Sequence, residues 1–215
     1  MARNDNRQRA FVSAQITIMN KQLAQVKILL KGYFNWVDRL ERQFKASSTV
    51  TLIQDGKVNI LVDTGHHAVE KKLVAALKRA GLKSDDIHYV IVTHHHPDHV
   101  ANNHLFKKAI ITDVLTSYKG DQFKVDLDLL LKGKNIITPN VYIISTPGHE
   151  LDECTVMVKT EKGVVAIVGD VFWATQKEKN IMVKDQKELA KSQTLIVKLA
   201  DYIIPGHGGM FRVVK

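Results

Sequence analysis

The stretch Thr93-His94-His95-His96-Pro97-Asp98-His99 constrains this chain more than any other. Four histidines and an aspartate fall within six residues, directly after the apolar run Tyr89-Val90-Ile91-Val92. Imidazole nitrogen and carboxylate oxygen are the ligands that borderline divalent metals take, zinc above all. Side chains two apart point the same way along extended chain. A strand running out into a loop therefore presents His94, His96 and Asp98 to one side. His99, next to Asp98, then faces elsewhere, which points to a second metal rather than a further ligand on the first. A surface histidine run or a leftover tag does not fit, because the cluster is internal, abuts a strand of buried character and contains Pro97-Asp98.

A chain of 215 residues has room for one domain with a sizeable core. Apolar residues at 45% and charged residues at 25% are ordinary for a globular protein, so disorder is not expected. The single cysteine, Cys154, excludes an internal disulfide and suits a reducing cytosol. It lies in the alternating run Cys154-Thr155-Val156-Met157-Val158 and reads as a small buried filler. No stretch approaches the ~18–20 apolar residues of a membrane span. The first nine residues are polar and basic with no apolar run behind them, unlike a secretory signal. A cytoplasmic protein with no membrane partner is expected. The net charge of +9 admits a polyanion, although the lysines are spread along the chain rather than gathered in one block.

Periodicity gives a coarse order of elements. Residues 1–20 read as an N-terminal extension with a weak strand at 15–18, and residues 21–215 as a single domain. Residues 25–33 form the first domain strand, and the charged stretch 38–48 is helix-compatible or looped. Strands at 49–54 and 58–62 flank the hairpin signal Asp55-Gly56, and the second delivers Asp63. A helical stripe of Val69, Leu73, Val74, Leu77 and Ala80 runs through residues 67–80, with Gly81 as its stop. Strands follow at 87–92, 109–112, 141–145, 154–159, 164–168 and 202–204, with a short helix at 98–106 and an amphipathic one at 186–199. Residues 117–133 take no firm assignment. Val90-Ile91-Val92, Ile143-Ile144, Ile167-Val168 and Ile203-Ile204 each precede a metal-ligand candidate, so the candidates can converge along one edge of a sheet structure.

At residues 94–99 the chain resembles the metallo-β-lactamase superfamily, whose signature is His-x-His-x-Asp-His. The resemblance extends, in the family's order, to Asp63 in Leu61-Val62-Asp63-Thr64-Gly65, His149 in Thr146-Pro147-Gly148-His149, Asp170 in Val168-Gly169-Asp170 and His207 in Pro205-Gly206-His207-Gly208. Within the superfamily, Leu29-Leu30-Lys31-Gly32-Tyr33 and the closing run from Ile203 to Val213 look most like the metallo-β-lactamase domain-containing protein 1 group. The resemblance implies an α/β fold, the αββα sandwich, with two mixed β-sheets face to face and helices outside. It also implies two divalent ions, zinc first and iron or manganese as alternatives. His94, His96 and His149 would hold one, Asp98, His99 and His207 the other, and Asp170 would bridge them. A metal-bound hydroxide would then attack the substrate, since a bound ion lowers the pKa of water from 15.7 towards about 7. Asp98 would orient that hydroxide as the catalytic residue.

The remaining candidates read as supporting groups. Asp63 matches a structural position of the family. His66 and His67 read as exposed loop residues, with a contact behind a ligand as the alternative. His95 is expected to point away from its neighbours, and His104 to lie on the surface or in the core. Tyr33, Trp36, Trp173 and Phe211 read as core aromatics, with a substrate mouth as the alternative. The interval from His149 to Asp170 leaves no room for the cap of the β-CASP nucleases. That from Asp170 to His207 leaves none for the arm of the tRNA 3′-processing enzymes. The glutathione-holding helical domain of glyoxalase II and a periplasmic antibiotic-defence role are likewise not expected. The function expected is hydrolysis of a small-molecule ester or phosphoester at a relatively uncovered site, with phosphoesters preferred to neutral β-lactams. The alternative is an RNA phosphodiesterase or RNA-binding module, which the charge and the resembled group keep open.

Overall fold

The computed structural model describes residues 22–176, 180 and 182–214; the expected N-terminal extension with its weak strand lies outside the described residues. The chain opens with β1 (Gln25–Leu30), β2 (Tyr33–Asp38), β3 (Gln43–Ser47), β4 (Val50–Asp55) and β5 (Val58–Val62), followed by helix α1 (Glu70–Arg79). It continues with β6 (Tyr89–Ile91), helix α2 (Pro97–Val100), β7 (Ile110–Thr112), β8 (Thr116–Lys119), β9 (Gln122–Val125) and helix α3 (Asp128–Lys132). The last part holds β10 (Asn135–Thr138), β11 (Val141–Ser145), β12 (Cys154–Thr160), β13 (Gly163–Ile167), helix α4 (Gln186–Leu199), β14 (Tyr202–Ile204) and β15 (Phe211–Arg212).

These strands form a seven-stranded sheet in the order β1-β4-β5-β6-β7-β8-β9, a six-stranded sheet from β10 to β15 in sequence order, and the hairpin β2-β3. Both large sheets are mixed: β5, β6 and β7 run parallel in the first, β13 and β14 in the second. Alternation along the strands decides the layers. Ile53, Ile60, Val62 and Ile91 of the first sheet pack against Val141, Ile143, Val156, Val158, Ile167 and Ile204 of the second. The intervening Leu52, Leu61 and Val90 meet Leu73 and Leu77 of α1 on the opposite face. Met157, Ala166 and Ile203 likewise meet Leu189 and Ile196 of α4. Each fully buried aliphatic side chain contributes about 1.5–3 kcal/mol. Helix, sheet, sheet, helix is the layering the resemblance implied. Cys154 is fully buried between the sheets, its thiol donating to Val92 O at 3.4 Å, in the filler role expected.

Two expectations are corrected and one unassigned stretch gains its elements. Residues 38–48 are neither helix nor simply loop: β3 pairs antiparallel with β2, with Phe34 opposite Ala46 and Trp36 opposite Phe44. The strand expected at 25–33 breaks after Leu30, and Tyr33 already begins β2. Gly32 allows the break, because a Cβ there would lie 2.5 Å from Thr49 N and 2.6 Å from Gly206 O. The unassigned stretch 117–133 contains the β8-β9 hairpin, closed by Tyr118 stacked on Phe123, and helix α3. Elsewhere the differences are at element ends, where short 3-10 turns at His67–Val69 and Asn103–Leu105 occupy parts of the expected helices.

The topology positions the site. Strands β5 and β6 run parallel, so both deliver their C-terminal ends to one edge. β11 and β13 are each antiparallel to β12, and β14 is parallel to β13, so these three also share one end. The loops carrying residues 63, 93–99, 146–149, 170 and 207 therefore gather on one rim of the sandwich. No helix among the described residues is long and apolar enough to cross a membrane.

Candidate metal centre

All seven residues expected as ligands meet at this rim. His94 Nε2 and His149 Nε2 each lie 3.1 Å from His96 Nδ1, and His149 Nε2 is 3.5 Å from Asp170 Oδ2. One potential ligand atom from each of these four residues falls within 4.8 Å of the others. Asp98, His99 and His207 form a second such group. There Asp98 Oδ2 is 3.7 Å from His207 Nε2 and 4.0 Å from His99 Nε2. Asp170 lies between the groups, with Oδ2 3.2 Å from His207 Nε2 and Oδ1 3.4 Å from His99 Nε2. His99 falls in the same group as Asp98, so the alternation that set Asp98 beside His94 and His96 and His99 elsewhere fails: helix α2 begins at Pro97 and ends the extended chain.

The histidines of the second group are held from behind. His99 Nδ1 meets Asp63 Oδ2 at 2.8 Å, and His207 Nδ1 meets the carbonyls of Ser47 at 3.1 Å and Tyr33 at 3.2 Å. His149 Nδ1 is held the same way by the carbonyl of Met182. A ring nitrogen facing an acceptor carries the proton, which leaves the opposite nitrogen's lone pair aimed into the centre. Converging lone pairs repel unless a cation lies among them.

Charge and burial sort the groups further. Burial, then neighbouring His99, holds His94 well below the usual histidine range, and burial also lowers His149. Burial acts against protonation of His99 and His207 as well, but Asp63 and Asp170 outweigh it at His99, Asp170 and Asp98 outweigh it at His207, and both are raised. Burial would lift the Asp170 carboxyl; His207 and His99 instead keep it well below the usual carboxylate range. His99 Nε2 and Asp170 Oδ1 are both buried without a hydrogen-bond partner. Such an orphaned atom costs about 1–3 kcal/mol. Their facing donor set of nitrogen and carboxylate oxygen fits a divalent cation.

The other candidates take separate places. Asp63 has a positive φ of 55° and accepts from Thr93 N and Thr93 Oγ1, both at 2.9 Å, as well as meeting His99; it belongs to neither ligand group. His95 turns away, as expected, and its Nε2 meets Asp113 Oδ2 at 3.1 Å. His104 is on the surface, 3.5 Å from Glu70. His67 is exposed, whereas His66 is half-buried and lines a cavity of about 690 Å³ over the ligands. Tyr33, Phe34, Phe44, Trp173 and Met182 also line it. The mouth reading thus holds for Tyr33 and Trp173. Trp36 packs on Phe34 and Phe44 along the hairpin, and Phe211 packs on Phe172 near α4. Phe34 and Phe44 were missed because the hairpin was not read; the alternation of Phe34 and Trp36 was the available signal. Glu150 and Glu153 were also missed. They lie behind His96 and His94, at 3.0 and 3.5 Å from their outward nitrogens.

The sequence profile of the Metallo-beta-lactamase superfamily matches residues 45–207. Metallo-beta-lactamase domain-containing protein 1 of Xenopus laevis is 33% identical over 207 residues, covering 88% of this chain and 82% of that protein. The chain spans only 60% of the human protein of the same name. A probable metallo-hydrolase of Methanocaldococcus jannaschii is 34% identical over 158 residues, covering 70% of this chain and 71% of that one. Among solved structures, a B. thuringiensis AiiA variant with N-decanoyl-L-homoserine at its active site aligns with a TM-score of 0.63. That alignment covers 88% of this chain and 94% of the other at 19% identity, a likeness of fold.

Proposed function

Because this chain belongs to the metallo-β-lactamase superfamily and is a metal-dependent hydrolase, we propose that it uses a dinuclear centre to cleave an ester or phosphoester bond of a small molecule. The observation that carries this reading is the convergence of seven candidate ligand residues in two groups, with His99 Nε2 and Asp170 Oδ1 buried 3.4 Å apart and in no hydrogen bond. His94, His96 and His149 would hold one divalent ion, Asp98, His99 and His207 the other, and Asp170 would serve both. Zinc is the first choice, with iron or manganese as alternatives. Two such ions would lower the pKa of water towards about 7 and so supply hydroxide at neutral pH.

The chain's own residues do the rest. Asp98 lines the cavity and is the least buried carboxylate of the cluster, in position to orient the attacking water and take its proton. Phe34, Phe44 and Trp173 offer an apolar wall for the part of the substrate away from the scissile bond. A cavity of this size and lining suits a small organic molecule. Lys45 is the one lysine among the lining residues, so the net charge of +9 is not focused at the centre. An overall positive surface still speeds the arrival of anions, which supports phosphoesters over neutral β-lactams. Action in the cytoplasm, by one hydrolase domain over residues 21–215, completes the proposal.

The test is metal analysis and zinc titration of gently purified protein, followed by a panel of chromogenic esters, lactones, phosphodiesters, a β-lactam and short RNAs across a salt series. About two ions per chain and weakly salt-dependent turnover of a small ester or phosphoester are expected. A ceiling of one ion at saturation defeats the dinuclear reading. Turnover of RNA alone, falling steeply with salt through counterion release, moves the assignment to nucleic-acid processing.

A further inference from the structure

One short loop, residues 148–153, places a group beside each of three ligand candidates. It contains His149 itself. Glu150 Oε1 lies 3.0 Å from His96 Nε2, and Glu153 Oε1 lies 3.5 Å from His94 Nδ1. The opposite nitrogens of those rings, His96 Nδ1 and His94 Nε2, are the ones that converge 3.1 Å apart in the centre. The loop is tightly fixed: Gly148 N donates to Glu150 O and Thr146 N to Glu153 O, both at 2.9 Å, and Cys154 then pairs with Ser145 to start β12.

Glu153 is fully buried, and its Oε1 also accepts the backbone N–H of Asp170 at 2.9 Å. Its other oxygen has no hydrogen-bond partner. A carboxyl group in such a place is costly to desolvate, and an aliphatic side chain would fill the space without that cost. Its polar contacts run to His94 on one side and to the backbone of Asp170 on the other. Thr93 Oγ1, 3.2 Å from His94 Nδ1, shares that nitrogen, and its own hydrogen goes to Asp63.

We propose that Glu150 and Glu153 are positioning residues of the metal centre, accepting the outward N–H of His96 and of His94 so that each ring presents a lone pair inward. Glu153 also anchors Asp170 through its backbone. This inference rests on the dinuclear reading above. Partners of this kind behind a ligand typically change metal affinity by about 10–100-fold.

Cobalt(II) titrations with chelator competition, followed by visible absorption, test it on wild type, E150A, E150Q, E153L and E153Q. E150A and E153L should weaken the cobalt ion held by His94, His96 and His149 by about 10–100-fold and shift its visible bands. E150Q and E153Q keep an amide oxygen as acceptor and should recover most of that loss. Folded E150A and E153L with wild-type affinity and spectrum would overturn the proposal, even if their metal-free forms melt earlier. Should E153L fail to fold, the partly exposed Glu150 pair and the ¹⁵N-histidine spectrum of zinc-loaded wild type still decide. The proton must reside on His94 Nδ1 and His96 Nε2, and the reverse tautomer of either ring defeats the assignment. Wild type that takes up no cobalt sinks the dinuclear reading and this one together; wild type that binds two ions beside indistinguishable variants sinks this one alone.

Discussion

His99 Nδ1 lies 2.8 Å from Asp63 Oδ2, while the other oxygen of Asp63 accepts the backbone N–H of Thr93 at 2.9 Å. One carboxylate thus joins the exit of β5 to the start of the histidine loop and orients a ring of the second ligand group. Its residue sits in left-handed backbone, φ 55°, a conformation that aspartate tolerates better than most residues.

Asp63→Ala should therefore weaken the second metal ion by about 10–100-fold while the first stays bound. It should also destabilise the metal-free protein by about 1–3 kcal/mol through the stranded donors of Thr93. Metal content after dialysis at fixed free zinc, with urea melts alongside, checks both. Two ions retained at wild-type affinity would remove Asp63 from any role in orienting His99.

Asp98→Ala and His95→Ala separate the two faces of the histidine loop. Asp98 belongs to the second group and lines the cavity; His95 points outward to Asp113. The first variant should lose several kcal/mol of barrier stabilisation, about 100-fold or more in kcat at ~1.4 kcal/mol per tenfold. The second should stay within about threefold, since it touches no reacting group. Comparable losses in steady-state kinetics would contradict this facing.

Phe44→Ala probes the hairpin wall. Phe44 packs 4.8 Å from Phe34, centroid to centroid, and lines the cavity, yet the residue remains 44% exposed, so its loss should leave the fold intact. Binding of an apolar substrate arm should weaken by about 1 kcal/mol, read as a roughly fivefold rise in KM with kcat little changed. An unchanged KM for substrates with and without such an arm would place the arm elsewhere.

Asp113 gives a pH prediction away from the metals. Burial would raise its carboxyl, but hydrogen bonds from His95, from the backbone of Thr116 and Leu115 and from the Thr116 hydroxyl hold it at about 2 against an ordinary 3.8. The folded value is depressed, so this contribution to stability is full above about 4 and is lost as pH falls from there towards 2. His95 is raised by the same contact; its share is full below its ordinary 6.5 and fades as pH rises through the folded value. Asp113→Asn should accordingly be less stable than wild type at pH 5–6, with the gap narrowing between about pH 4 and 2. Urea melts across that range give the answer, and a gap independent of pH would exclude the ion pair as its source.

The sequence determined what depends on local pattern and on chemical identity. Residues 141–145, 186–199 and 202–204 were legible because a strand alternates with period two and a helix with period 3.6, whatever lies opposite. The ligand candidates were legible because few side chains bind divalent metals and these followed β-branched runs that had to be strands. Tertiary structure decided the rest. The β2-β3 hairpin has little alternation in its charged half and is held by Phe34, Trp36 and Phe44 packing on one another and, through Phe34, on Trp173. Nothing local announces those contacts, so the cavity wall stayed unread. Glu150 and Glu153 look like ordinary solvated acids in sequence. Only the antiparallel register of β11 with β12 brings one behind His96 and buries the other between His94 and Asp170. Periodicity assigns a residue to a face, whereas the partner across that face is set by strand order and register, which no short window of sequence contains.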